Sequence, residues 1–138
     1  MVDLKFRYGL PFCRVEIIHN SKKLILDNVL IDTGSGGTLF KMDKVEEIDK
    51  VEEIDITIDM NDSIETIHGV GGSEFVYKKT IDEIRLNDLC SRDVKVEIGI
   101  MDYGFDIDGI IGIDFLRQIG AIIDLEKMKV YSRSDNEK

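Results

Sequence analysis

The chain has 138 residues, of which 43% are hydrophobic and 33% charged, and its net charge is −10. This length predicts one domain. The chain is acidic and has no basic cluster, which argues against a nucleic-acid partner and against binding to an anionic membrane, because both need clustered positive charge. No apolar run approaches a membrane span and the first residues lack a signal-peptide core, so we expect a cytoplasmic protein with no membrane partner.

Short β-strands separated by turns dominate the first forty residues. Residues 12–19 and 24–31 are strand-like segments on either side of a turn at residues 20–22, which predicts a hairpin that ends at Asp32. Residues 38–40 predict a short strand that leaves a glycine loop. These patterns indicate an all-β protein.

A hexapeptide, Lys-Val-Glu-Glu-Ile-Asp, then occurs twice in tandem, at residues 44–49 and 50–55. Val45 and Ile48 lie one helical turn apart, which predicts a helix in the first copy. From Ile54 to Met60 the apolar residues alternate instead, which predicts a strand. The repeat is either an acidic interaction surface or a solvated helix face that arose by local duplication, and we favour the second.

The second half of the chain continues as strands. Residues 63–80 predict a hairpin whose tip, Gly69-Val70-Gly71-Gly72, has three glycines in four residues. Residues 94–100 alternate as a strand, and residues 101–108 predict a loop.

A short apolar strand, Ile110-Ile111, stops at Gly112. Residues 114–119 then predict a short helix that ends at Gly120, and residues 121–125 and 129–131 predict closing strands. The domain is therefore expected to span residues 1–131, followed by a polar tail at residues 132–138.

Two residue types argue against a metal or redox centre. Cys13 and Cys90 lie far apart at a spacing that matches no zinc or redox pattern, so we expect two reduced and mostly buried thiols. His19 and His68 have no partners at ligand spacing, so we expect no metal and no cofactor.

Asp32 is the most informative residue, because an acidic side chain directly follows an apolar strand and precedes a glycine turn. A carboxylate at the end of a buried strand needs hydrogen bonds or an ionic partner, and such positions are candidates for chemistry. Asp108 or Asp114 could supply a second carboxylate in one chain. The favoured interpretation makes Asp114 a helix cap and Asp108 a turn residue.

Three features occur in a fixed order: Asp32-Thr33-Gly34-Ser35 after an apolar strand, the glycine-tipped hairpin, and Ile110-Ile111-Gly112 before a short helix. This order resembles the retropepsin-like aspartic proteases over roughly residues 6–131, and the long acidic segment at residues 41–62 resembles their bacterial or cellular members. The resemblance implies a small, closed-barrel-like acid-protease half-domain with a flap hairpin and one or two short helices.

The resemblance also implies an aspartic endopeptidase in which Asp32 activates water. Gly34 would allow close approach of the backbone, Thr33 would hydrogen-bond across the loop, and the Ser35 hydroxyl would donate to the carboxylate. The hairpin tip would close as a flap over an extended peptide substrate; the alternative is an ordinary exposed turn. One chain holds one such motif, so the implied enzyme is a homodimer with an Asp32 from each chain.

Two other hypotheses remain open at this point. The first is a catalytically silent module that keeps the fold for peptide binding or dimerisation. The second is a monomeric enzyme or a zymogen-like state that awaits processing. If a dimer forms through a terminal strand, as is usual in the family, Lys129-Val130-Tyr131 could supply it.

Overall fold

The structure, a computed structural model, describes residues 1–44, 63–69 and 72–133. In these ranges the alternating segments of the sequence form eleven strands, and one further segment forms helix α1. The elements are β1 Val2–Asp3, β2 Lys5–Arg7, β3 Leu10–His19, β4 Lys22–Ile31, β5 Leu39–Lys41, β6 Ser63–Gly69, β7 Gly72–Leu86, β8 Leu89–Gly99, β9 Gly109–Ile111, α1 Ile113–Gln118, β10 Ala121–Asp124 and β11 Lys129–Ser132.

A closed barrel of six strands forms the centre of the fold. Strands β3, β4, β9, β5, β8 and β7 are hydrogen-bonded in that order, and β7 pairs back onto β3 through Ile84 opposite Ile17. The pairs β4–β9 and β5–β8 are parallel, whereas the remaining pairs in the ring are antiparallel. The predicted all-β, closed-barrel architecture is confirmed.

Strand alternation divides the apolar residues between two clusters. Val29 and Ile31 of β4 belong to the main core inside the barrel, whereas Leu30 between them belongs to a second cluster. That second cluster contains Phe12, Leu30, Leu39, Met101, Ile107 and Ile110, with Phe105 packed against it. One face of β4 therefore packs into the main core, and the other face packs into the second cluster.

A small sheet is formed by β1, β11 and β10 in that order. β11 lies at its centre, with Val130 opposite Val2 on one side and opposite Ile123 on the other. Lys129 and Val130 are thus paired on both sides within the chain, and Tyr131 pairs with Ile122 on one side. Whether this strand takes part in a dimer stays a prediction.

Most predicted elements agree with the structure to within a few residues, including both hairpins and the short helix, which begins at Ile113 rather than Asp114. The helix predicted over residues 44–49 and the strand predicted from Ile54 to Met60 fall within residues 45–62 apart from Lys44, and so lie outside the described residues. Within the described ranges, no helix has both the length and the apolar character to cross a bilayer.

The expectation for the cysteines is half right. Cys13 is buried, and its burial raises the pKa of the thiol to about 12. Cys90 is exposed, contrary to the prediction, because strand alternation turns Leu89 inward and Cys90 outward at the start of β8.

Candidate active site

Asp32 lies where two parallel strands end. Because β4 and β9 run in the same direction, the loop after Ile31 meets the turn after Ile111 at one edge of the barrel. The Asp32 backbone N–H donates to the carbonyl oxygen of Ile111 at 3.0 Å, which continues the ladder by one residue. The half-buried Asp32 side chain is therefore delivered by a backbone fixed on one side by a neighbouring strand.

The loop itself orients the carboxylate. The Gly34 N–H donates to Asp32 Oδ1 at 2.9 Å, and the Ser35 N–H donates to the Asp32 carbonyl oxygen at 3.1 Å. A Cβ atom on Gly34 would lie 3.2 Å from Asp32 Oδ1, a tight approach. Glycine at this position therefore gives the backbone donor access to the carboxylate, as the sequence predicted.

The roles expected of two other loop residues need correction. The Ser35 hydroxyl donates to the carbonyl oxygen of Gly37 at 2.8 Å, and not to Asp32, because this acceptor lies only two residues further along the turn. Thr33 is exposed, and the side chain that hydrogen-bonds from this loop to the segment after β9 is that of Thr38.

Thr38 is a residue that the sequence reasoning missed. Its hydroxyl accepts the Gly112 N–H at 3.1 Å and donates to Asp114 Oδ1 at 2.8 Å. The Ser35 carbonyl oxygen accepts the Ile113 N–H at 2.8 Å beside this pair. Three hydrogen bonds thus fasten the loop after β4 to the segment after β9, although the residues lie more than seventy positions apart.

Asp114 is not a helix cap. Gly112 occupies the N-cap position of α1 without a side-chain hydrogen bond, and Asp114 lies in the first turn. Its Oδ1 accepts both the Thr38 hydroxyl and the Phe115 N–H, each at 2.8 Å. The Asp114 carboxylate therefore holds the loop in place.

Gly112 is required by packing. A Cβ atom there would lie 2.2 Å from the carbonyl oxygen of Gly37 and 2.8 Å from that of Ser35, both of them backbone atoms. The motif Ile110-Ile111-Gly112 thus provides two ladder residues and one position where the Asp32 loop touches the backbone. The sequence identified Gly112 as the end of a strand and as part of the motif that resembles the retropepsin-like proteases, but not as this contact.

Asp108 also has a structural role. Its side chain is largely buried, its Oδ2 accepts the Asn28 N–H at 3.1 Å, and its Oδ1 lies 3.6 Å from the Lys44 ammonium. The backbone of Asp108 bonds to both Asn28 and Lys41, which ties β4 to β5. In the described ranges, no three His, Cys, Asp or Glu side chains form a group that could hold a metal ion.

An apolar face lies beside Asp32. Leu30 precedes Asp32 by two residues, so strand alternation places the two side chains on the same face. Leu30 is opposite Phe12 on one side and Ile110 on the other, and Phe105 packs against this cluster. We call Phe12, Leu30, Phe105 and Ile110, together with Tyr8, the apolar face.

Tyr8 extends the apolar face towards solvent. Its ring centroid lies 5.1 Å from that of Phe105 and 6.4 Å from that of Phe12, and the Arg7 guanidinium lies 5.4 Å from the Tyr8 centroid. Tyr8 is nevertheless 60% exposed. Sequence reasoning did not select these residues, although aromatic residues at positions 6, 8 and 12 were a visible signal.

The predicted glycine-tipped hairpin is present as β6 and β7, which pair from Ser63 opposite Lys78 to Gly69 opposite Gly72. Its role as a flap stays a prediction. Val70 and Gly71 of the predicted tip lie outside the described residues. β8 ends at Gly99, opposite Val76, so among the described residues Gly72 to Phe75 pair only with β6. The hairpin therefore extends beyond the barrel as two strands.

A comparison with solved structures relates this geometry to known proteins. The chain is similar to the crystal structure of a retropepsin-like aspartic protease from Rickettsia conorii, with a TM-score of 0.60 and 16% sequence identity over 95% of this chain and 97% of that chain. The fold is therefore retropepsin-like. No protein-family model matches the sequence, and no curated protein matches it either.

Proposed function

We propose that the protein is an aspartic endopeptidase that works as a homodimer, with one Asp32 carboxylate from each chain. The observation that carries this proposal is the half-buried Asp32 side chain, which a single backbone donor of its own loop orients at the end of β4 in a retropepsin-like fold. A carboxylate that was needed only for structure would be expected to hold several elements together, as Asp108 and Asp114 do.

The chemistry requires two carboxylates. When two of them lie close together they cannot both ionise at low cost, so one keeps its proton. The ionised carboxylate takes a proton from water, and the resulting nucleophile attacks the peptide carbonyl carbon. The protonated carboxylate donates to the carbonyl oxygen, and the tetrahedral intermediate then releases the amine with a proton, without a covalent enzyme intermediate.

A second chain is the best source of the second carboxylate. The loop from Asp32 to Thr38 contains one acidic residue. Asp114 accepts a hydrogen bond from Thr38 of this loop, and Asp108 is largely buried and accepts the Asn28 N–H of β4. A two-fold axis beside the loop would bring two copies of Asp32 together in one isologous site. The same argument disfavours a site built from a single chain.

The proposed substrate is an extended peptide with apolar side chains near the cleaved bond. Tyr8, the exposed end of the apolar face, offers a ring that such side chains can contact. The β6–β7 hairpin, with Gly69, Val70, Gly71 and Gly72 at its tip, is proposed to close over the peptide as a flap. A net charge of −10 per chain disfavours acidic peptides.

Subunit mixing tests the paired carboxylates directly. Wild-type protein is mixed with increasing amounts of the Asp32→Asn variant, and peptide hydrolysis is measured per wild-type chain. We expect activity to fall towards zero as mixed dimers form, because each mixed dimer has one carboxylate. An inhibitor that mimics the transition state of aspartic proteases should block the wild-type activity.

The matched control is Asp93→Asn, which makes the same chemical change at an exposed position of β8. Adding this variant should leave the activity per wild-type chain unchanged or higher. Activity that is insensitive to excess Asp32→Asn would overturn the paired site. Peptide binding without hydrolysis at any pH would overturn the enzyme and favour the silent binding module.

A further inference from the structure

Two charged residues, Arg7 and Asp106, lie together at one end of the apolar face. Asp106 follows Phe105 directly, and its Oδ2 accepts the Asn28 side-chain amide at 3.3 Å and lies 3.9 Å from an Arg7 guanidinium nitrogen. Arg7 also donates to the side-chain oxygen of Asn28. The proposed hydrolysis uses neither charge, although both lie beside a surface that is proposed to contact the substrate.

Strand β4 gives the spacing between this charged pair and Asp32. Asn28 contacts both charges through its side chain, and Leu30 and Asp32 follow it at alternate positions of the chain. Phe12, opposite Leu30, has its ring centroid 5.6 Å from the Arg7 guanidinium. Four residues of strand span roughly 13 Å, as do about four residues of an extended peptide. A peptide that lies over this row therefore brings a side chain about four residues from the cleaved bond to the pair.

The two charges differ in how far the chain itself uses them. The Arg7 side chain is 31% exposed, donates to Asn28, and has its guanidinium 5.4 Å from the Tyr8 ring centroid as well as close to Phe12. The Asp106 side chain is 53% exposed, and among the described residues its Oδ1 makes no hydrogen bond or ion pair. The Asp106 carboxylate is therefore the group that a ligand can still approach.

We propose that Asp106 determines substrate specificity by pairing with a lysine or arginine side chain about four residues from the cleaved bond. The preferred substrate is then a peptide with apolar side chains at the cleaved bond and a basic side chain further along. The inference rests on the proposed function. The two-fold symmetry of the proposed dimer would place one Asp106 on each side of the cleaved bond.

The charge of the chain is the reason for choosing a basic partner over an acidic one. The chain has 28 acidic and 18 basic residues, so its field attracts a basic peptide and repels an acidic one. Arg7 does not take the place of such a partner. Its guanidinium nitrogen lies 3.9 Å from Asp106 Oδ2, whereas a charge-assisted hydrogen bond is about 2.7–2.9 Å long.

The test compares two exposed aspartates of one loop. Asp106→Asn and Asp102→Asn each remove one negative charge, so the net charge of the protein changes equally. In Asp106→Asn the amide oxygen can still accept from Asn28, and circular dichroism checks the fold. The substrates are peptides with an aromatic residue beside the cleaved bond. They differ in one residue, Lys, Gln or Glu, placed roughly three to five positions away.

We expect kcat/KM of the wild type at low ionic strength to be ~2- to 5-fold higher for the best Lys peptide than for its Gln counterpart, the range of an exposed ion pair. The ratio should fall to about 1 in Asp106→Asn and at high salt. It should persist in Asp102→Asn and in Asp106→Glu, which keeps the charge. A wild type without a preference for Lys, or an Asp106→Asn variant that keeps it, overturns the inference. A preference for Glu also overturns it and would point to Arg7.

A binding measurement separates this inference from the proposed function. Fluorescence anisotropy of labelled Lys and Gln peptides gives their dissociation constants for Asp32→Asn and for the double variant with Asp106→Asn. A Lys preference that only the double variant loses supports the role of Asp106, even if the wild type cleaves no peptide and the endopeptidase is overturned. Hydrolysis without a Lys preference overturns the role of Asp106 and leaves the endopeptidase intact.

Discussion

The segments that follow the parallel strands β4 and β9 both carry an aspartate, and they use it differently. Asp32, after β4, accepts one backbone N–H from its own loop. Asp114, after β9, accepts a hydroxyl and a backbone N–H and so joins the two segments. Asp108 also lies beside these motifs. The pattern of contacts, rather than residue type, separates the candidate catalytic group, Asp32, from Asp108 and Asp114.

The comparison also shows which segment depends on the other. The Asp32 loop receives its position from the β9 segment through Ile111, Gly112 and Ile113, and Thr38 completes the connection. The segment after β9 therefore positions the loop after β4. Under the proposed function, such a division would leave the Asp32 carboxylate available to react while a second element fixes its geometry.

The largest effect should come from removing the charge at each aspartate in turn. We expect Asp32→Asn to lower kcat for peptide hydrolysis by ~10³-fold or more, because the amide can neither take nor donate the catalytic proton. Its stability should change little, since the amide oxygen can still accept the Gly34 N–H. Initial rates and urea denaturation measure the two effects.

Asp114→Asn is the matched control, because its amide oxygen can still accept from Thr38 and Phe115. We expect a stability loss of about 1 kcal/mol and less than ~10-fold loss of activity, as weaker hydrogen bonds replace charge-assisted ones. Equal losses of activity in the two variants would contradict the distinction between Asp32 as the candidate catalytic group and Asp114 as the residue that positions its loop.

The next effect concerns the contact between the two segments. Gly112→Ala should lower the free energy of unfolding by about 3 kcal/mol or more, because the new methyl group would overlap two carbonyl oxygens of the Asp32 loop. Gly36→Ala, in the same loop, meets nothing within 4 Å and should stay within about 0.5 kcal/mol of the wild type. Urea denaturation measures both, and similar losses in both would contradict the packing role of Gly112.

A smaller effect should follow from cutting the hydrogen bonds between the segments. Thr38→Val leaves the buried Gly112 N–H without an acceptor, so we expect a loss of about 2 kcal/mol in the free energy of unfolding. Thr38→Ser keeps the hydroxyl and should lose less than about 1 kcal/mol. A Thr38→Val variant as stable as the wild type would contradict the role of these hydrogen bonds, and a Thr38→Ser variant as unstable as Thr38→Val would mean that the methyl group stabilises the loop as much as the hydroxyl does.

The sequence predicted those features that depend on local pattern. Period-two alternation located the strands of the barrel, and an acid between an apolar strand and a glycine turn located Asp32. The sequence could not predict the hydrogen bonds between Thr38 and the residues Gly112 and Asp114. These residues lie 74 and 76 positions from Thr38, and only the folded barrel brings them together. Ser35 was assigned wrongly because a hydroxyl in a tight turn has several acceptors within reach, and only the backbone path selects Gly37.

The smallest effect tests whether the two segments share one substrate surface. Leu30 before the Asp32 loop and Ile110 before Gly112 face each other in the apolar face, which Tyr8 extends to solvent. For a peptide with an aromatic side chain beside the cleaved bond, Tyr8→Ala should lower kcat/KM by about 2- to 10-fold, the equivalent of a ring contact of 0.5–1.5 kcal/mol. Phe6→Ala removes a ring that is also 60% exposed and should have less than about 2-fold effect. Equal effects of the two variants would place substrate recognition elsewhere. A loss confined to Tyr8→Ala would place substrate recognition at the apolar face, to which Leu30 of β4 and Ile110 of β9 both belong.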